Sequence, residues 1–247
     1  MNTIAVTRVI NATVLIELPG GSVLTDPYFD SHWFMRFDEP FGLTAQELPP
    51  LAAIIGGHGV FDHWQPRSLN GYRHHATTAV YVANRRMARV ARRAGFGQVE
   101  VLQWGEQRYA NAELTVRAVP GERVMGMRTN SYVMSSGGLN VFVGTEARSL
   151  RPARAVAAFQ PIDVAILPVN GIRLLGLPLV MDGPTALEAA RQLGADTLVP
   201  IHHSQRPIWP ILWPATGLAD LTSRDQHPDV AVEILAPGER AVLGHAA

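Results

Sequence analysis

The chain has 247 residues, no cysteine, and 21 acidic against 21 basic residues, for a formal net charge of zero. It is long enough to bury a sizeable core, and the missing thiols exclude disulfides, cysteine nucleophiles and thiolate metal sites, leaving His, Asp and Glu as the metal ligands available. The neutral balance gives no electrostatic footprint for nucleic acid or an anionic membrane surface.

The opening "MNTIAVTRVINATVLIELPGG" reads as strands, not as a basic and apolar leader. No window reaches the ~18 uninterrupted apolar residues of a membrane span. The expected location is therefore the cytoplasm. "TIAVTRV", "TVLIEL" and "SVLTD" are short β-branched runs, with Pro19, Gly20 and Gly21 turning the chain between the last two. The apolar run Leu51–Ile55 predicts a buried strand, as does "TAVYV" at 78–82. After it, Met87, Val90, Ala91 and Ala94 recur at helical spacing, with Asn84 as the cap and Gly95 as the stop. The arginines of this helix (Arg85, Arg86, Arg89, Arg92, Arg93) read as a solvated side rather than a phosphate-binding face.

Four further β runs follow, "VEVLQW", "ELTVRAVP", "NSYVMSS" and "LNVFVG". Next come a helix near 150–159, a strand at 163–169, the helix "PTALEAARQLG", the strand "TLVPI" at 197–201, and a final strand and turn in "AVEILAPGERAVL". This order suits an α/β architecture with packed sheets and helices outside them, not a purely parallel sheet. No linker, fixed repeat or low-complexity tract interrupts it, so one domain over 1–247 is expected.

Three stretches outside these elements are unusually apolar: 27–44, 171–181 and 206–218. They predict either a hydrophobic pocket for a small-molecule substrate or a subunit interface. The interface is the commoner cause, and a homo-oligomer is expected. Trp33, Phe34, Trp209 and Trp213 would wall such a pocket and favour an uncharged or acyl-bearing substrate.

The densest chemistry lies in "IIGGHGVFDHW", residues 54–64, where His58, Asp62 and His63 occupy a glycine-rich turn after an apolar run. A turn at a strand end can bring ligands close in sequence onto one point. Read in order, "VLTDPYF", "IIGGHGVFDHW", "AVPGER", "NVFVGTEA", "ILPVNG" and "LVPIHH" each fall near a predicted strand end. In these segments the chain resembles the metallo-β-lactamase superfamily. The branch that includes ascorbate-6-phosphate lactonases and N-acyl-phosphatidylethanolamine phospholipases is the most similar, and the resemblance runs down to "APGERAVL".

That resemblance implies a four-layer αββα sandwich with a metal site at one edge of the two sheets. It also implies a signature loop H-x-H-x-D-H, followed by a later His, a bridging Asp and a last His. His58 matches the first position, Val60 replaces the second histidine, and Asp62 and His63 match the D-H pair. Arg123, with Glu122 beside it, replaces the next histidine; Thr145, with Glu146 beside it, replaces the bridging aspartate. His202 matches the last histidine. Asn11 in "INAT" replaces the histidine of the branch's G-H-A-T turn, and Asp26 in "LTDP" is retained. The first metal's ligands are largely lost, whereas Asp62, His63 and His202 remain for the second. Glu146 would complete that set if its loop bulged by one residue; a regular strand would turn it to the opposite face.

The resemblance therefore implies a hydrolase of esters, lactones, amides or phosphoesters using at most one divalent metal, zinc, iron or manganese. Asp62 would bind the metal and orient water. Arg123, never a ligand because it stays protonated, would take the first metal's place and stabilise negative charge. Asn170 in "PVNG" matches a place that recurs in the branch and is a substrate-contact candidate, with turn formation as its ordinary role. Asp182 in "MDGP" caps the next helix.

Two alternatives stand beside this reading. One is a catalytically inactive scaffold without metal, in which Arg123 pairs with Asp62. The other is a metal-free enzyme using Ser204 with His203, or Thr145 with Glu146, unsupported by any G-x-S-x-G elbow. A metal site requires His63 and His202 to converge and forbids a close Arg123–Asp62 pair. His74, His75, His227 and His245 read as surface or terminal residues, with His32 and His203 in reserve as site residues.

Overall fold

The computed structural model describes residues 2–32, 36–124, 126–208, 211–214, 218–221 and 229–245. The chain begins with six strands, β1 (Thr3–Ile10), β2 (Thr13–Leu18), β3 (Gly21–Thr25), β4 (Leu51–Gly56), β5 (Ala79–Val82) and β6 (Gln98–Val101), with helix α1 (Arg85–Arg93) between the last two. A second run comprises β7 (Gln107–Tyr109), β8 (Thr115–Val124), β9 (Met127–Ser136), β10 (Leu139–Val143), helix α2 (Arg151–Ala157) and β11 (Val164–Pro168). Then follow the two-residue strands β12 (Arg173–Leu174) and β13 (Leu177–Pro178), helix α3 (Gly183–Leu193) and β14 (Thr197–Ile201). The chain closes with β15 (Leu212–Trp213), β16 (Ala231–Val232) and β17 (Arg240–His245).

These strands form two seven-stranded sheets, in the orders β17-β1-β2-β3-β4-β5-β6 and β16-β14-β11-β10-β9-β8-β7, and a small third sheet, β13-β12-β15. Antiparallel hairpins turn to parallel pairing at β3–β4 in one sheet and at β10–β11 in the other. The side-chain period of two assigns each residue to a layer. Val14, Ile16, Val23 and Ile55 of the first sheet meet Val116, Tyr132, Val141 and Ile166 of the second in one central core. The opposite faces are covered separately. Leu15, Leu24, Ile54 and Val80 pack under α1 through Met87 and Ala91, and Val133, Phe142 and Leu167 pack under α2 and α3. Each fully buried aliphatic side chain contributes roughly 1.5–3 kcal/mol, so all three interfaces are needed. The result is the expected αββα sandwich.

The helix boundaries follow their capping chemistry. The Asn84 side chain accepts from the Met87 amide at 3.0 Å, and Gly95 turns the chain with φ +97° after the last turn of α1. The Asp182 side chain accepts from the Thr185 amide at 3.0 Å to open α3. Among the described residues no helix is long and apolar enough to cross a membrane.

Candidate metal centre

The site forms where four strand ends of the two sheets meet. Asp26 follows β3, the loop carrying His58, Asp62 and His63 follows β4, Glu146 follows β10, and His202 follows β14. All six side chains are buried. Asp26, His202 and the neighbouring Asn11 hold left-handed backbone conformations (φ +33°, +59° and +47°). Such conformations cost of order 1–3 kcal/mol each in non-glycine residues and cluster at functional sites.

The donor atoms converge. His63 Nε2 lies 3.1 Å from His202 Nε2, 2.9 Å from Glu146 Oε1 and 3.8 Å from Asp62 Oδ2, and His202 Nε2 lies 3.9 Å from the same Asp62 oxygen. With metal–ligand bonds of about 2.0–2.2 Å, two ligands at a tetrahedral angle are separated by about 3.3–3.6 Å. Asp62, His63 and His202 therefore have the spacing of a ligand triad, and Glu146 adds a carboxylate oxygen beside His63. His58 stands on the far side of Glu146, with Nδ1 at 3.6 Å from Oε1, and neither of its ring nitrogens has a hydrogen-bond partner. Two ligand triads can be drawn, His58–His63–Glu146 and Asp62–His63–His202. Both need His63 Nε2, and an imidazole nitrogen has one lone pair. Once it is engaged by the second triad, the first retains only His58 and Glu146.

The supporting contacts hold the ligands from behind. Asp26 Oδ2 lies 3.0 Å from His63 Nδ1, and Oδ1 accepts from the Gly57 amide at 2.8 Å. A carboxylate behind a ligating histidine fixes the ring and its tautomer. The Asn170 amide group pairs with His202 Nδ1 at 3.3 Å. Asn11 ties two ligand loops together: its side chain donates to the Asp62 carbonyl at 3.2 Å, and its own carbonyl accepts from the His202 amide at 3.0 Å. Gly57 is required by close approach, because a Cβ there would lie 2.1 Å from Thr145 Oγ1 and 2.7 Å from the Asn130 carbonyl oxygen.

The electrostatics follow from three carboxylates in one buried cluster. Burial opposes a charge on His63, but Asp62, Glu146 and Asp26 outweigh it and hold this imidazole well above its ordinary pKa. Burial would raise Glu146, yet His63 and His58 bring it down to about 2. His58 and His202 are pushed down, chiefly by burial. Burial thus disfavours a proton on His58 and His202, which leaves these two imidazoles with the free lone pairs that a divalent cation requires.

Arg123 is not brought to this cluster. Gly121 and Glu122 together oppose Thr129, a bulge that shifts the β8–β9 register, and Arg123 emerges beyond it on the hairpin tip, exposed and paired across the strands with Arg128. Among the described residues it makes no ion pair with Asp62, so the scaffold reading loses its proposed Arg123–Asp62 contact. Glu122, its neighbour, is buried against Ser149 and Arg148. Glu146, by contrast, reaches the site because β10 ends at Val143 and a turn at Gly144–Ala147 breaks the strand alternation.

Asn170, expected to contact substrate, is buried behind His202, with Oδ1 accepting from the Ile172 amide at 3.1 Å. Ser204 faces the Arg8 guanidinium at 3.4 Å, and Thr145 Oγ1 has no partner, so neither serine nor threonine has a base beside it. His203, half-buried, is held down to about 3 by burial and by the charge of Arg8. His32 packs edge-on against Tyr28 and belongs neither to the two ligand triads nor to the cavity lining over them. Trp33, Phe34, Trp209 and His227 lie outside the described residues. The pocket-lining aliphatics Ile172, Leu174 and Leu179 were signalled in the sequence only as part of an apolar stretch.

A family model for the beta-lactamase superfamily domain matches residues 22–203, most of the chain and every ligand candidate. The chain belongs to the metallo-β-lactamase superfamily. Solved members of similar fold include a possible metal-dependent hydrolase from Veillonella parvula, 16% identical over 97% of this chain and 99% of that one, with a TM-score of 0.78. An isothiocyanate hydrolase from Delia radicum gut bacteria is 18% identical over 96% and 98% of the two chains, with a TM-score of 0.75. CmlA, a diiron beta-hydroxylase from Streptomyces venezuelae, is 18% identical over 98% of this chain but 54% of its own, with a TM-score of 0.72. At these identities the likeness to this metallo-β-lactamase-fold chain is one of fold. A search of curated proteins gives no match.

Proposed function

We propose that the chain is a hydrolase using one divalent metal, held by Asp62, His63, His202 and Glu146. The observation that carries the proposal is the convergence of two imidazole Nε2 atoms, 3.1 Å apart, with two buried carboxylates. The donor set fits zinc, iron or manganese, since it offers imidazole and carboxylate without sulfur. A bound metal there supplies Lewis acidity and a water of lowered pKa.

The protein's own groups do the rest. Asp26 and Asn170 fix the rings of His63 and His202, which sets the direction of each Nε2. Asp62, at the pocket floor beside both imidazoles, orients the attacking water. His58, with two unpartnered ring nitrogens and a place in the pocket wall, is positioned to hydrogen-bond the reacting group. This takes over the stabilising task expected of Arg123.

A metal-free scaffold is the second reading, and one observation favours it: the protonated His63 ring spans Asp26 at 3.0 Å and Glu146 at 2.9 Å, a pair of contacts complete without an ion. Metal content by mass spectrometry, measured on untagged chain beside His63→Ala, decides between the two. Close to one zinc, iron or manganese per chain, lost in the variant together with hydrolysis, is the expected result. No bound metal after reconstitution with each ion overturns the hydrolase and leaves the scaffold.

A further inference from the structure

A cavity of about 280 Å³ opens directly over the ligand cluster. Its floor is formed by His58, Asp62, Glu146 and His202, its walls are mainly apolar, and the uncharged Gln205 adds one side-chain amide to the lining. Ile172, Leu174 and Leu179 come from the segment around β12 and β13, and Ile208, Ile211 and Leu212 from the segment that enters β15. The small third sheet holds these two segments together, through the pairs Arg173–Trp213 and Leu174–Leu212. Two of the apolar stretches thus form one wall over the site. Val60, at the position where a second signature histidine would stand, and Phe61 complete the opposite wall.

Charge separates this cavity from a phosphate site. No arginine lines it among the described residues, and the chain contains no lysine. The arginines nearest in sequence to the lining residues, Arg148, Arg173 and Arg206, are all exposed and do not line it. An anionic substrate would meet no cationic side chain among the described lining residues, and within apolar walls an unpaired ion is costly to bury. A neutral substrate carries no such cost, and an apolar arm gains from the walls. The volume lies just below the usual range of ligand sites, roughly 300–1,000 Å³, which suits a short alkyl or single-ring group.

We propose that the substrate is an uncharged ester or lactone with a short apolar group, and that phosphoesters are excluded. This rests on the hydrolase reading above. In the reaction the oxygen of water bonds to the acyl carbon, the carbon–oxygen bond to the leaving group breaks, and the leaving oxygen takes up the proton.

The test compares 4-nitrophenyl butyrate, 4-nitrophenyl phosphate and bis(4-nitrophenyl) phosphate on metal-loaded chain, since the three share a leaving group and differ in charge. Binding of neutral heptan-2-one and of anionic hexylphosphonate to the metal-free chain, by calorimetry, supplies a readout independent of turnover. The butyrate is expected to be the preferred substrate by at least about a hundredfold. Leu179→Arg should lower its kcat/KM about tenfold or more and weaken the ketone. If Leu179→Arg fails to fold, Leu179→Ala tests the same wall through a smaller loss of ketone binding. Preference for either phosphoester would overturn the substrate assignment and leave the hydrolase standing. If none of the three is turned over, the hydrolase reading falls. Ketone binding that Leu179→Arg abolishes would then still support a neutral apolar ligand, and absence of ketone binding would overturn both.

Discussion

The carboxylate of Asp26 joins the strand end after β4 to the imidazole of the candidate ligand His63: Oδ1 accepts from Gly57 N–H at 2.8 Å while Oδ2 meets His63 Nδ1 at 3.0 Å. One side chain thus fixes both the backbone that starts the signature loop and the imidazole that ends it. Asp26→Asn can still accept from Gly57 but presents an amide nitrogen or a weaker acceptor to His63. Metal affinity is expected to fall about 10–100-fold, measured by competition with a chromogenic chelator, with the far-ultraviolet circular dichroism unchanged. An affinity within twofold of the original would show that Asp26 does not orient the ligand.

Metal binding should also appear as stability, with a definite dependence on pH. A ligand present at a hundred times its dissociation constant adds about 2.7 kcal/mol, or about 5–10 °C in the unfolding temperature of a chain this size. In the metal-free protein the pKa of His63 is raised, first against the penalty of burial and then by Asp62, Glu146 and Asp26. Its proton therefore contributes stability that is complete below the unfolded value near 6.5 and is lost as pH rises through the higher folded value. Metal must displace that proton. The gap in unfolding temperature between metal-loaded and chelated protein should consequently widen from pH 6 upward; a gap that narrows would contradict a shared site on His63.

Arg8 is almost wholly buried and forms a two-pronged ion pair with Glu39, with Nη1 also donating to the Leu235 carbonyl at 3.2 Å. This ties β1 to the segment before residue 42 and to the approach to β17. Removing one partner strands a buried charge, at a cost of about 3–5 kcal/mol. Urea denaturation should show Glu39→Gln destabilised by roughly that amount and Arg8→Met with Glu39→Gln less so than the two single losses summed. Additive losses would mean that the pair is solvated.

The sandwich, and the strand ends that carry part of the candidate site, were legible in the sequence for a physical reason. Strand alternation and helix caps are local, so Val14, Ile16, Asn84 and Asp182 announce their roles within a few residues. His63, Asp62 and His202 sit at strand ends that the same alternation locates. Arg123 could not be placed this way, because the bulge opposite Thr129 shifts register without any mark in residue type. Glu146 depended on a turn that interrupts strand alternation. The wall over the pocket was harder still, because strands of two residues such as β12, β13 and β15 have no period to read.

Asn11 shows how much the ligand loops depend on a residue that touches none of the donor atoms among the described contacts. It holds φ +47°, and its side chain and carbonyl contact the Asp62 carbonyl and the His202 amide. Asn11→Gly keeps the backbone conformation free of strain and loses only the side-chain bond. Asn11→Ala loses the bond and places a Cβ in a region that alanine disfavours. Denaturant unfolding should therefore rank the original above Gly and Gly above Ala, with Ala lower than the original by about 2–3 kcal/mol. Metal affinity should fall in both variants, because the Asp62 loop is released from Asn11 in each. If Ala proves as stable as Gly, the left-handed turn at Asn11 is not maintained in solution, and the link between the two ligand loops must be carried by the His202 amide alone.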